Sequence, residues 1–306
     1  MKSKKVKKLV IKPHHSESYM KEKEGEYFDR KHYNLIIKEN CDCYGLDEKG
    51  NKKLLFKLRK NVIPKKHCVL GIKHLKKAAQ KNHDNRGASA GVIDVKRLPS
   101  YANDPKLFKS VKKFRVVGYK SKKNGKWVNA CLSNLSKSNI IGFFDKKDRN
   151  KGINAPPCRK TAFTAQQVDK WKGVQPLIVS IDKQFKRLVP DKYKKQYKRA
   201  HETEFVIGNT AFSTLTINYN WRTALHKDAG DYKDGFGNLV ILEEGKYDGG
   251  ELGFPRYKVA VDVRNGDFLA MNVHEWHCNT KINPKTKDYT RLSLVSYLRE
   301  KMHRCK

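Results

Sequence analysis

Acidic charge is scarce in this chain of 306 residues: 31 Asp and Glu stand against 67 Lys and Arg, for a formal net charge of +36. One reading of the imbalance is a Lys-heavy composition that only keeps the chain soluble. The other is a polyanionic partner, because each phosphate neutralised releases counterions and tightens binding at low salt. An excess this large favours the polyanion. Regular cysteine spacing is missing too. Cys41, Cys43, Cys68, Cys131, Cys158, Cys278 and Cys305 are odd in number and form no CxxC pair, which argues against a structural zinc module. No apolar run approaches the roughly 20 residues of a membrane span, and the opening MKSKKVKKLVIKP carries no secretory leader. The expectation is therefore an intracellular, reducing location, cytoplasm or nucleus, with no membrane association and a monomeric chain. Hydrophobic residues make up only 38 %, yet they cluster into runs such as STLTINY and VAVDV, so a folded core is expected.

Residues 1–40 alternate lysine clusters with short apolar pieces and are expected as a basic arm that need not be ordered, either solubilising or touching DNA. Residues 41–306 are expected as one catalytic domain. Within it, Lys49-Gly50-Asn51 reads as the turn of a β-hairpin over 44–64. The apolar spacing of His67 to Gln80 predicts an amphipathic helix covering a sheet. Asn85 to Gly91 is a small, polar loop whose backbone can approach a ligand, followed by an expected strand at Val92 to Val95. Thr164 to Leu188 reads as a helix interrupted near Gly173 and Pro176, with Thr164 as its N-cap and Gln167 at the capping-box position. A second helix is expected over Asp191 to His201. Beyond it, TAFSTLTINY, NLVILEE, GGELGF, VAVDV and DFLAMNV are short strands divided by Gly, Pro and Asn-Gly-Asp turns, the pattern of a jelly-roll-like double sheet over about 205–300.

The chemistry concentrates in His226-Lys-Asp228. Side chains i and i+2 of an extended segment project from one face, so His226 and Asp228 can chelate one cation without distorting the backbone. A third ligand must come in through the fold, and His274 and His277 are the candidates. Two histidines and one carboxylate with open positions describe the facial triad of non-haem iron oxygenases, although a zinc hydrolase could use the same set. The tail RLSLVSYLR sharpens the choice. As a strand it places Arg291, Ser293 and Val295 on one face and Leu292, Leu294 and Ser296 on the other. An arginine buried at the inner end of such a strand needs an anion, and the far carboxylate of 2-oxoglutarate suits it.

Three runs carry a family resemblance: RTALHKDAGDYKDGFGNLVILEEGKYDGG, GDFLAMNVHEWHCNT and RLSLVSYLR. They resemble the core of the TET and J-binding-protein (JBP) dioxygenases, and among these the small viral, phage and protist-like members. The resemblance is strongest from Thr210 to Tyr297. It implies an α+β fold with a double-stranded β-helix core buttressed by helices. It also implies an enzyme that uses Fe(II), 2-oxoglutarate and O₂, with ascorbate as a reductant, to hydroxylate the 5-methyl group of a base in DNA, RNA being the less expected polymer. His277 becomes the third iron ligand, because in the family that histidine follows a strand and precedes a short polar stretch, here Cys278-Asn279-Thr280. His274 is left to line the pocket. Arg291, with Ser293 and Arg222, is implied at 2-oxoglutarate, and Asp231, Asn85 and Arg86 at the base. The expected substrate is 5-methylcytosine, taken out of the stack. The alternatives are thymine, a nucleic-acid-binding protein with a degenerate site, and a dioxygenase of protein side chains.

Overall fold

The central strands of this chain are apolar at consecutive positions, and two separate cores take up the two alternating sets. Along Gly237–Glu244, Leu239 and Ile241 point one way and Val240 and Leu242 the other, and along Phe268–Met271 the same division recurs. Strands of this kind need cover on both faces, and the computed structural model, which describes residues 5–146 and 157–305, supplies it in two forms.

The main sheet has ten strands. Its path runs Lys7–Ile11, Cys41–Leu46, Lys52–Arg59, Phe268–Met271, Gly237–Glu244, Thr290–Tyr297, Thr214–Tyr219, Ser136–Phe144 and Arg159–Lys160, with Asn82–His83 paired off the path to Ser136–Phe144. On one face lie helices. α1 (Glu17–Glu22) belongs to the opposite side, whereas α2 (Lys65–Ala79), α3 (Ala162–Gln166), α4 (Val168–Leu188) and α5 (Pro190–Ala200) contribute to the helical layer. There Leu75, Leu177, Ile178, Ile181 and Phe185 meet Ile217, Val240, Leu242, Phe268, Leu292 and Leu294. On the other face a four-stranded sheet, Cys278–Asn279, Leu252–Phe254, Val259–Val261 and Leu35–Ile37, closes a sandwich over Phe56, Leu58, Leu239, Ile241, Leu269 and Met271. This is the α+β, double-stranded β-helix architecture expected from the resemblance. A three-stranded sheet, Phe108–Lys112, Arg115–Lys120 and Trp127–Leu132, pairs with neither.

Several elements differ from expectation for local reasons. The basic arm is folded from Lys7 onward. Lys7–Ile11 adds in parallel to the edge of the main sheet, and Met20, Phe28 and Tyr33 are buried. Residues 1–4 lie outside the described residues. The helical break falls at Gln167 and not near Gly173 and Pro176. Thr161 caps α3 by accepting from the Thr164 amide, while the Thr164 hydroxyl accepts instead from the Gly142 amide at 2.7 Å. α4 runs unbroken through Pro176, and Gly173 is small because His74 of α2 approaches it closely. Val92 to Val95 forms no strand, and Val92 is exposed. Cys158 and Cys305 form a disulfide with Cα atoms 5.6 Å apart, while five other cysteines are free. Among the described residues, no helix is long and apolar enough to cross a membrane.

Candidate active site

Where the two sheets part, they leave a cavity of about 1100 Å³. Its polar lining comes from segments far apart in the chain. His226 and His277 sit directly opposite each other in an isolated antiparallel bridge and exchange both backbone hydrogen bonds, at 3.1 and 3.0 Å. Such a pair projects its side chains to one side, and the ring centroids are 4.3 Å apart. Each Nδ1 lies 2.8 Å from a carbonyl two residues back, that of Ala224 for His226 and of Glu275 for His277. Each Nδ1 therefore donates, and each Nε2 keeps a free lone pair directed at the other ligands.

Asp228 completes the group. Its amide bonds the Val273 carbonyl at 3.0 Å, and its carboxylate oxygens lie 3.6 Å from Nε2 of His226 and 3.9 Å from Nε2 of His277. The ligand atoms of the three residues all fall within 4.8 Å of one another. Burial, and then the neighbouring His277, push the His226 imidazole down to about 4. It is neutral at physiological pH, the form that binds a metal. Behind the cluster stands Glu17 of α1. Its carboxylate pairs with Lys227, between the two nearby ligands, at 2.5 Å, and accepts from Nε1 of Trp276, next to His277, at 2.8 Å.

The strand Thr290–Tyr297 forms one wall. Arg291, Ser293, Val295 and Tyr297 face the cavity, and Leu292 and Leu294 face the helical core, as the alternation predicts. Arg291 is only 2 % exposed. Among the described residues it has no acidic partner. One Nη donates to the Gly250 carbonyl at 2.9 Å, and Nε is left without an acceptor. Gly250, at φ +74°, is where the backbone crosses this guanidinium, and a Cβ there would lie 3.1 Å from Nε. A buried cation with an orphaned donor, beside two imidazoles and a carboxylate, fits a ferrous ion chelated by a keto acid whose far carboxylate would pair with the arginine.

The other expected residues divide. Ser293 accepts from Asn218 and lines the cavity. Asn85 and Arg86 also line it, and Arg86 is held by the Ser138 hydroxyl at 3.0 Å and the Asn218 carbonyl oxygen at 3.3 Å. Asp231 is buried, lines the cavity and pairs with Arg299 in an isolated antiparallel bridge. Burial first, and Asp228 second, raise its carboxyl well above the usual carboxylate range, with Arg299 opposing. The shift is toward the protonated form, which can donate as well as accept. Two expectations fail. Arg222 does not reach the cavity, because it is taken up by Asp29 at 2.8 Å and by the Phe28 and Asn279 carbonyls. His274 is directed away as well. Its ring nitrogens lie 3.2 and 3.1 Å from the carbonyls of Asp228 and Tyr232, so it shapes the loop that carries Asp228.

Sequence reasoning missed Arg299, Asp145 and Tyr297. Arg299 lines the cavity beside Asp231. Its Nε donates to Asp145 at 2.6 Å, and its guanidinium lies 4.6 Å from the Phe144 ring centroid. The signal was present: continuing the alternation of Arg291, Ser293, Val295 and Tyr297 by one step reaches Arg299.

A profile of the family Tet_JBP, the oxygenase domain of the 2OGFeDO superfamily, matches residues 139–300. The chain is similar to thymine dioxygenase JBP1-B of Trypanosoma cruzi (strain CL Brener), at 35 % identity over 53 % of this chain and 19 % of that protein. It is also similar to thymine dioxygenase JBP1 of Trypanosoma brucei brucei, at 32 % identity over 70 % of this chain and 24 % of that one. It thus spans a quarter or less of these relatives' lengths. Among solved structures, NgTET1 in complex with 5mC DNA shares the fold, with a TM-score of 0.52 and 12 % identity over 98 % of this chain and 84 % of that chain.

Proposed function

Because the chain belongs to the Tet_JBP family, the oxygenase domain of the 2OGFeDO superfamily, we propose that it hydroxylates the 5-methyl group of a pyrimidine in DNA with Fe(II), 2-oxoglutarate and O₂. In this reading His226, Asp228 and His277 hold the iron, and Arg291, with Ser293 beside it, holds the distal carboxylate of 2-oxoglutarate. The observation that carries it is the convergence, in one cavity, of two imidazoles, a carboxylate and a buried arginine with no acidic partner among the described residues. Once bound, the iron and its co-substrates supply the oxidising power that converts C–H to C–OH.

The protein's own residues supply position and selectivity. A methyl group in a duplex faces the major groove, out of reach of so enclosed a centre, so the nucleotide must swing out of the stack, at a cost of a few kcal/mol. Asp231 and Arg299 then meet its Watson–Crick edge. Burial and Asp228 push the Asp231 carboxyl up, toward the form that both donates and accepts, while Arg299, fixed by Asp145, only donates. Thymine and 5-methylcytosine each present two acceptors and one donor on that edge, so these groups match either base. The relatives named as thymine dioxygenases favour thymine, giving 5-hydroxymethyluracil. The 5-methylcytosine expected from the sequence is the second reading. Mass spectrometry of nucleosides from DNA incubated with the protein separates the two. 5-Hydroxymethyluracil supports the first reading and 5-hydroxymethylcytosine the second. Neither product, with iron and 2-oxoglutarate supplied, would end both. Asp228→Ala should abolish either product.

A further inference from the structure

The three-stranded sheet lies outside the family-matched residues, and its charge is left unbalanced. Between Asp104 and Asp145 there is no acidic residue, and ten are basic. None of those ten forms an ion pair among the described residues. Register shows where the charge points. Lys112 pairs with Arg115 across the first hairpin, Ser110 with Val117, and Val117 with Cys131. Paired residues and those two apart share a face, so Lys112, Ser110, Arg115, Val117 and Cys131 form one surface. Arg115 and Cys131 of that surface also line the active-site cavity. On the other face Val116 and Leu132 are buried, whereas Val111, which pairs with Val116, is exposed.

Two like charges directly opposite each other on neighbouring strands repel, and here both are exposed with no carboxylate to separate them. The hairpin tip is nevertheless anchored. Phe114 packs onto Gly25, the Lys113 ammonium donates to the Glu22 carbonyl at 2.8 Å, and the Ile93 amide bonds the Lys113 carbonyl at 3.0 Å. The anchored hairpin thus presents two exposed cations, unpaired among the described residues, beside a cavity that Arg115 itself lines. We propose that this face of the sheet grips the phosphate backbone of DNA at the cavity mouth, with Lys112 and Arg115 as the phosphate contacts. The proposal rests on the reading of DNA as substrate.

The test is fluorescence anisotropy with a labelled DNA duplex, without 2-oxoglutarate so that nothing turns over, over a series of salt concentrations. Three full-length proteins are compared: the unaltered chain, Lys112→Ala/Arg115→Ala, and Lys194→Ala/Lys195→Ala, which removes equal charge from exposed positions on α5. Loss of two phosphate contacts should weaken binding about tenfold or more at ~0.1 M salt and flatten the log–log salt slope by about 1.8. The α5 pair should change the slope much less. An unchanged slope in the hairpin variant, or an equal change in the α5 variant, overturns the proposal. Failure of the enzymatic reading would look different: no oxidised nucleoside from the unaltered protein, with the slope difference intact.

Discussion

Arg291 brings a full positive charge into the core and finds only a carbonyl there. Left so, it is a net cost to folding, which a carboxylate ligand would repay through two parallel hydrogen bonds. Arg291→Lys keeps the charge but loses the fork, so the KM for 2-oxoglutarate should rise on the order of tenfold with a smaller change in kcat; an unmoved KM would remove Arg291 from that role. His226 sets a pH dependence of known sign. Its value is 6.5 when unfolded and about 4 when folded, so between those values the unfolded chain binds the proton and the native site does not. Stability of the metal-free protein should be complete above about 6.5 and fall by on the order of 3 kcal/mol as pH drops to about 4. Asp231 works oppositely, losing stability as pH rises above 3.8. Asp231→Asn therefore isolates the histidine, and thermal melts over this range would show whether the acid-side loss survives. The ligand residues were legible because i, i+2 spacing and strand alternation are local rules. Arg222 and His274 were misplaced because nothing local reveals that a carboxylate from residue 29, or carbonyls from residues 228 and 232, will claim them first.

Among the elements, Ser136–Phe144 does the most to shape the base side of the cavity, since it delivers Phe144 and Asp145 to Arg299. Gly142 lets it do so. At φ +91° it occupies a conformation costly for other residues, and an added Cβ would lie 2.6 Å from the Ser213 carbonyl oxygen. Gly142→Ala should lower stability by about 2 kcal/mol or more, read as a fall in Tm, and a variant as stable as the parent would disprove the constraint. Helices α2, α4 and α5 and the hairpin of Cys41–Leu46 with Lys52–Arg59 were readable from periodicity and turn residues. The break at Gln167 was not, because Thr161 and Thr164 trade capping roles only once Gly142 is in place. The ordering of Lys7–Ile11 was equally hidden. A lysine-rich stretch reads as solvated until a sheet edge, here Cys41–Leu46, offers its backbone partners.

At the scale of the molecule, the sandwich and the helical layer hold a site whose ligands are 49 residues apart in sequence, His277 against Asp228. The fold class and the stretch holding the site could be foreseen. The three-stranded sheet and the contribution of the first forty residues could not, since both depend on contacts between distant parts of the chain. Glu17 is the sharpest instance, because one carboxylate touches the neighbours of both imidazoles from the rear. Anyone trimming the gene to a minimal catalytic fragment would be tempted to begin at residue 41, which keeps every iron and keto-acid residue. That fragment should come off a purification column poor in metal, and elemental analysis alongside the whole chain would reveal it: full occupancy in the fragment would mean that the amino-terminal prop is ornamental.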